Sequence, residues 1–231
     1  IRLVPSVVSG DPDDRRSIIT AASMPAKKLG IRTAEPVSMA LRKYPDLLIV
    51  RGDWEWYGKC SKGFLDICRS YSPVLQQFSI DECFIDMTMR NWGEDPVDVA
   101  NRLREEIKQT LGFTVNVGIG SNKLLAKMAS EFEKPDKVHT LWEEEVQEKM
   151  WPLPVRDLLW VGKQTEKKLV AYGIHTIGSL AKCSVGALAR IVGKKFAQQL
   201  HENANGRDDS HVETEVPEAK SISAERTFPN D

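Results

Sequence analysis

The chain has 231 residues, 41% of them hydrophobic and 28% charged, with a formal net charge of −1. That composition supports a sizeable core and excludes global disorder, and the charge excludes a protein coated in basic residues. No run of about 18 apolar residues occurs, so no membrane span is expected.

In chain order, residues 3–9 and 17–22 read as short strands separated by the turn-rich GDPDDRR. AKKLG follows as a short helix with Gly30 as its C-cap, and Pro36 suits the first turn of a second helix that must stop before Pro45. LLIV (47–50) reads as a buried strand, and Trp54–Tyr71 has helical spacing. VLQQF (74–78) and CFIDM (83–87) read as two strands with SIDE at the hairpin between them. Asp95 and Pro96 open an amphipathic helix that ends at Gly112. FTVNVGI (113–119) alternates as a strand, and SNKLLAKMASEFEKP begins with a Ser cap and runs helical to Pro135. The order is a split βαβ pattern whose first strand is expected upstream of Ile1. From Trp151 onward the pattern becomes short helices divided by glycines, so a domain boundary is expected near 142–153, and the tail from about 213 reads as a linker. The N-terminus, IRLVPSVVSG, has no initiator Met and no leader pattern, so the chain is read as starting inside a longer gene product.

Four cysteines (Cys60, Cys68, Cys83, Cys183) form no Cys-x-x-Cys pair, and the four His show no zinc spacing. Reduced thiols of a cytoplasmic protein are the expectation. Charge is uneven: residues 152–211 hold nine Lys/Arg against five Asp/Glu, which leaves that segment +4 and the remainder −5. A basic module joined to an acidic one fits phosphate binding beside cation binding, and chance clustering gives the same count.

Asp81 and Glu82 are the chemically informative pair. Successive side chains on a regular strand face opposite ways, so both carboxylates reach one site only where a strand ends or bends, as at a hairpin. Two adjacent anions repel until a cation neutralises them, and Mg²⁺ takes one or two protein carboxylates plus substrate phosphates. Asp-Glu is also a common turn dipeptide, and Asp86 reads as a solvated strand-end charge. In LLWVGKQTEKKLVAYGI, a turn containing Gly162 would present backbone N–H groups at a helix N-terminus, where a phosphate binds without sequence readout. Lys163, Lys167 and Lys168 would add charge there. An ordinary helical turn with a solvated lysine face fits the same residues.

SIDECFIDMT (79–88) closely resembles the palm signature of Y-family, translesion DNA polymerases of the bacterial UmuC/DinB-like branch. Three further segments match in order: 21–50 with the fingers, 115–138 with the second half of the palm, and 158–181 with the thumb hairpin. KSISAERTF (220–228) is similar to the start of the family's last domain. The resemblance implies an α+β chain with fingers at 1–52, palm at 53–142, a helix-hairpin-helix thumb at 143–211 and a linker at 212–231. The first palm strand and the C-terminal little-finger domain would lie outside it. It also implies DNA synthesis on primer-template DNA from dNTPs with two Mg²⁺ ions, in a monomeric cytoplasmic protein that meets a sliding clamp through its C-terminal region.

By the same resemblance, Asp81 and Glu82 match the family's second and third metal ligands, and Lys134 and Lys27 match positions that face the triphosphate. Lys134 would also be favoured by the helix dipole alone. Val161, Gly162, Lys163 and Thr165 match the thumb turn that holds the DNA backbone. The family's first metal-ligand Asp and its ribose-excluding aromatic belong upstream of Ile1. Met24 stands where many relatives have a triphosphate-bonding Tyr, and a thioether cannot donate that bond. Two rivals remain at this level. A non-catalytic repair scaffold would have no need of the SIDE carboxylates, and a nucleotide cyclase would have no need of a thumb. The isolated chain is expected to fold marginally around an incomplete sheet and not to extend primers.

Overall fold

The computed structural model describes residues 3–10, 17–88, 93–215 and 221–224. All but Gly10 of the expected GDPDDRR turn, and most of the 220–228 segment, lie outside the described residues. The chain divides into two compact units, residues 1–59 and 60–231.

In the first unit, β1 (Ser6–Ser9) lies in the middle of a three-stranded sheet, antiparallel to β2 (Ala21–Ala22) and parallel to β3 (Leu48–Arg51). Two short helices, α1 (Met24–Lys28) and α2 (Val37–Lys43), complete it. Ser23 caps α1: its Oγ accepts from the N–H of Ala26 (3.3 Å) and of Ser6 (3.0 Å) and donates to the Val4 carbonyl (2.9 Å). One hydroxyl therefore ties the helix start to the sheet. The helix begins earlier than AKKLG suggests, because Pro25 falls in its first turn, where a missing N–H leaves no helical bond unmade. Gly30, at φ +78°, closes it. Val7, Ile19, Ala26, Ile31, Val37, Ala40 and Leu47 form the core.

The second unit begins within α3 (Trp54–Tyr71), whose later turns bury Phe64, Leu65, Cys68 and Tyr71. β4 (Leu75–Gln77) and β5 (Cys83–Ile85) form an antiparallel hairpin. α4 (Pro96–Leu111) buries Val99, Leu103 and Ile107 in the same cluster as α3 and Leu75 of the hairpin. Asp95 caps its start, accepting from the Val97 N–H (2.7 Å), and Gly112 ends it in the left-handed region at φ +74°. Each apolar side chain fully buried this way contributes about 1.5–3 kcal/mol.

β6 (Val117–Gly120), α5 (Lys123–Glu131) and β7 (Val138–Leu141) form a β-α-β unit in which the two strands are parallel. Two expectations are corrected here, and one strand is new. The strand starts at Val117 and not at Phe113, because the Asn116 side chain donates to the carbonyls of Ser130 (3.1 Å) and Glu133 (2.8 Å) and turns the chain toward the loop. The cap of α5 is Asn122, whose Oδ1 accepts from Leu125 (2.9 Å), while Ser121 donates to Glu143 (3.2 Å). β7, only four residues long and set between Lys137 and Trp142, is a strand that periodicity does not announce. Among the described residues, β4–β5 and β6–β7 are separate two-stranded sheets and not one continuous sheet.

Gly118 and Gly120 let α5 rest on β6. A Cβ on Gly118 would stand 1.9 Å from the Ala126 carbonyl oxygen, and one on Gly120 would stand 2.7 Å from the Ala126 nitrogen. Glycine weakens a strand elsewhere; here only glycine permits the approach.

α6 (Lys163–Ala171), α7 (Ile177–Ala181), α8 (Val185–Val192) and α9 (Lys194–Ala204) form the helical remainder. Its core is continuous with that of the β-α-β unit, running from Leu124, Leu125 and Met128 through Leu141 and Met150 to Leu188 and Leu200. After α9 the chain returns to α5. Asp208 Oδ2 accepts from the Leu124 N–H (3.2 Å), Asn122 donates to the Gly206 carbonyl (2.8 Å), and Lys123 donates to the His211 carbonyl (3.0 Å). Among the described residues no helix is long and apolar enough to cross a membrane.

Candidate active site

The loop between β4 and β5 closes by two backbone bonds, from the N–H groups of Phe78 (2.9 Å) and Ser79 (3.1 Å) to the Glu82 carbonyl. Asp81 and Glu82 thus sit at a hairpin end, as their position in SIDE predicts. Ser79 Oγ donates to Asp81 Oδ1 (2.6 Å) and accepts from the Asp81 N–H (3.3 Å), which fixes an otherwise exposed carboxylate locally.

Glu82 is held from outside the hairpin. Lys127 Nζ, on α5, donates to Glu82 Oε1 at 2.5 Å and to Glu131 Oε1 at 3.0 Å, and Lys134 Nζ lies 2.7 Å from Glu131 Oε2. The side chains alternate in sign as Glu82, Lys127, Glu131, Lys134. They also differ in exposure: Lys127 is 16% exposed, Glu82 39%, Glu131 46% and Lys134 52%. Partial burial alone would push the Lys127 pKa down. The hydrogen bonds to Glu82 and Glu131 more than offset it, and the ammonium is raised above the ordinary lysine value. Burial would push Glu131 up, and its bonds from Lys134 and Lys127 hold it below the ordinary carboxylate value. The half-exposed Glu131–Lys134 pair is worth about 0–1 kcal/mol, so it opens readily.

Asp86 stays apart from this group. Its Oδ1 accepts from the Thr88 hydroxyl (2.5 Å) and N–H (2.9 Å), and these bonds hold its pKa low. Its reading as a strand-end charge fits that placement.

The hairpin also touches the helical part. Phe78 meets Phe84 edge-on (centroids 5.3 Å) and Trp160 edge-on (6.4 Å), while Lys123 Nζ lies 5.4 Å from the Phe84 ring centre. These residues line a cavity of about 170 Å³ together with Asn203 and Asp208. Trp160 is held at φ +74° and is followed by Val161 and Gly162, the N-cap of α6. No side chain caps α6, so Lys163 and Thr165 stand in a first turn whose N–H groups can meet an anion. The expected first helix of the hairpin is a single 3₁₀ turn, Val155–Asp157.

The structure therefore joins Glu82 and Lys134 through one chain of ion pairs, leaves Asp81 held by Ser79 beside it, and ties the Gly162 turn to the same hairpin through Phe78 and Trp160. Lys27 lies in the first unit, exposed in the last turn of α1, and Met24 opens that helix, also exposed. Sequence reasoning missed Lys123, Lys127 and Trp160. The lysines carried a usable signal: they are four apart on α5, opposite the buried face of Leu124, Leu125 and Met128.

The donor set suits a hard divalent cation. Both groups at the hairpin end are carboxylates, and an ammonium already neutralises one of them. Among the described residues no group of three or more His, Cys, Asp or Glu gathers to hold a metal.

Residues 1–131 match the family model described as impB/mucB/samB. The chain belongs to that family. Within this Y-family fold, residues 156–208 match the model described as the DNA polymerase-iota thumb domain. The chain is 44% identical over 231 residues to DNA polymerase IV of Clostridium acetobutylicum, covering 100% of this chain and 58% of that protein. It is 36% identical to DNA polymerase IV of Alkaliphilus oremlandii, covering 99% of this chain and 58% of that one. Among solved structures, DinB from Sulfolobus solfataricus superposes with a TM-score of 0.83 at 25% identity, over 91% of this chain and 62% of that one. A Dbh–Dpo4 Y-family DNA polymerase chimera shares the fold at a TM-score of 0.83 and 24% identity, again over 91% of this chain and 62% of that one. The chain thus spans less than two thirds of the relatives it matches.

Proposed function

We propose that the intact protein is a template-directed DNA polymerase of the translesion class, with primer-template DNA and dNTPs as substrates. The observation that carries this reading is the pair Asp81 and Glu82 at a fixed hairpin end, with Lys127 and Lys134 beside it. The names of the relatives, DNA polymerase IV, support the same class. In this reading residues 1–52 act as fingers, 53–142 as palm and 143–211 as thumb. A cytoplasmic monomer that also contacts a sliding clamp completes it.

Asp81 and Glu82 would be two of the protein ligands of two Mg²⁺ ions, which also take substrate phosphates. When bound, such ions stabilise the charge on the attacking and leaving oxygens of an in-line phosphoryl transfer. Ser79 orients Asp81 for that role. Lys134 and Lys27 neutralise the triphosphate, and the N–H groups at Gly162, Lys163 and Thr165 take a DNA phosphate next to Val161. Catalysis by this chain's side chains is positioning and charge neutralisation, with no acid–base group required.

Primer extension with Mg²⁺ and dNTPs tests the reading. The wild-type protein is expected to extend, and Asp81→Ala to lose at least about a hundredfold in rate, as removing a transition-state charge partner does elsewhere. If neither extends while both bind primer-template, a DNA-binding scaffold replaces the polymerase.

A further inference from the structure

The alternation Glu82–Lys127–Glu131–Lys134 goes beyond what a metal ligand and a nucleotide lysine need separately. Lys127 is the least exposed of the four and lies 2.5 Å from one carboxylate and 3.0 Å from another. It therefore stands where a cation bound by Glu82 would compete with it. Glu131 is shared in turn between Lys127 and Lys134, at 3.0 and 2.7 Å, with its outer partner half exposed. Four charges linked in this way cannot change partners independently. If Glu82 turns to another cation, Lys127 keeps Glu131 alone, and Glu131 then needs Lys134 less.

We propose that Lys127 is a resident counter-cation of the metal site, which holds Glu82 in the metal-free protein and withdraws to Glu131 when a divalent cation takes Glu82, so freeing Lys134 for an anionic nucleotide. This rests on the polymerase reading of the site and deepens it: cation and nucleotide affinities are coupled through one partly buried lysine. By linkage, each ligand then tightens the other by the same factor. Lys127 is a positioning residue in this scheme, since it acts through Glu82 and Glu131 and touches no substrate.

The test is binding of Mn²⁺, which takes the same oxygen ligands, to the intact protein by the loss of its free EPR signal. Wild type is compared with Asp81→Ala, Lys127→Met and Lys127→Arg, each confirmed folded by circular dichroism. Removing a competing positive charge a few ångströms from the ion is expected to lower the Mn²⁺ Kd of Lys127→Met by about tenfold, and Lys127→Arg should stay near wild type. Unchanged or weaker Mn²⁺ binding in Lys127→Met overturns the counter-cation. If Asp81→Ala leaves Mn²⁺ binding intact, the metal site itself is wrong, and the inference falls with it. The coupling has its own readout in equilibrium dialysis of dATP. Wild type should bind dATP more tightly in Mn²⁺ by a larger factor than Glu131→Gln does, because Lys134 is already free in that variant. Equal factors in the two proteins overturn the link to Lys134.

Discussion

The two small sheets of the second unit are held in opposite ways. In β6–β7, backbone meets backbone: α5 lies on Gly118 and Gly120 so closely that no side chain fits between. The β4–β5 hairpin ends in a loop with exposed side chains and is steadied by groups that reach it from elsewhere, Lys123 to Gln76 (2.9 Å) and Lys127 to Glu82. Both lysines come from α5. The rigid sheet fixes the helix, and the helix fixes the hairpin on which the candidate site stands. Precision at the carboxylates is thus inherited from glycines that never approach a ligand.

The largest effect should come from the rigid side. Gly118→Ala places a methyl against the Ala126 carbonyl and is expected to destabilise the protein by about 3–5 kcal/mol, or prevent folding, in thermal or urea unfolding. A loss under about 1 kcal/mol would show that α5 can lift from β6 freely. On the hairpin side, Lys123→Met removes donors to Gln76 and His211 but keeps an apolar stem over Phe84, so about 1–2 kcal/mol should be lost. Ser79→Ala removes two partly solvated bonds to Asp81 and should cost about 0.5–1.5 kcal/mol of stability. If extension falls much further than stability does in Ser79→Ala, orientation of Asp81 is its main role.

The smallest effect is electrostatic and belongs to the rigid sheet. Asp136, in the loop before β7, accepts from Arg104 (2.5 Å) and Lys108 (3.0 Å) of α4, and these bonds depress its pKa, Arg104 first. A depressed carboxylate pKa adds stability that is complete above its unfolded value, about 3.9, and is lost as pH falls through the folded value. Asp136→Asn should therefore unfold at a lower midpoint near neutrality and show a shallower further loss below about pH 4. Parallel acid profiles would remove Asp136 from the account.

Much of this was legible in the residues. The caps of α4, the limits of α3 and the hairpin around SIDE follow from local chemistry: Asp95 before Pro96, Gly112 at the end, apolar residues at helical spacing. β7 was not legible, because a four-residue strand gains its stability from pairing with Val117–Gly120, a partner 21 residues away in register. The start of β6 escaped for a related reason, since Asn116 answers to carbonyls across a loop. The carboxylates were legible as a motif, while the lysine between them and Lys134 was not, because its role depends on α5 crossing the hairpin.

The return of the chain after α9 has a mechanical consequence. The bonds from Leu124 to Asp208, from Lys123 to the His211 carbonyl and from the Glu213 N–H to Gln76 (3.3 Å) fasten the outgoing strand to α5 and the hairpin. Tension applied beyond Glu215 would load this seam before it reached α9. A pull on that end is therefore felt first at Gln76 of the hairpin and at the start of α5, and only afterwards in α9.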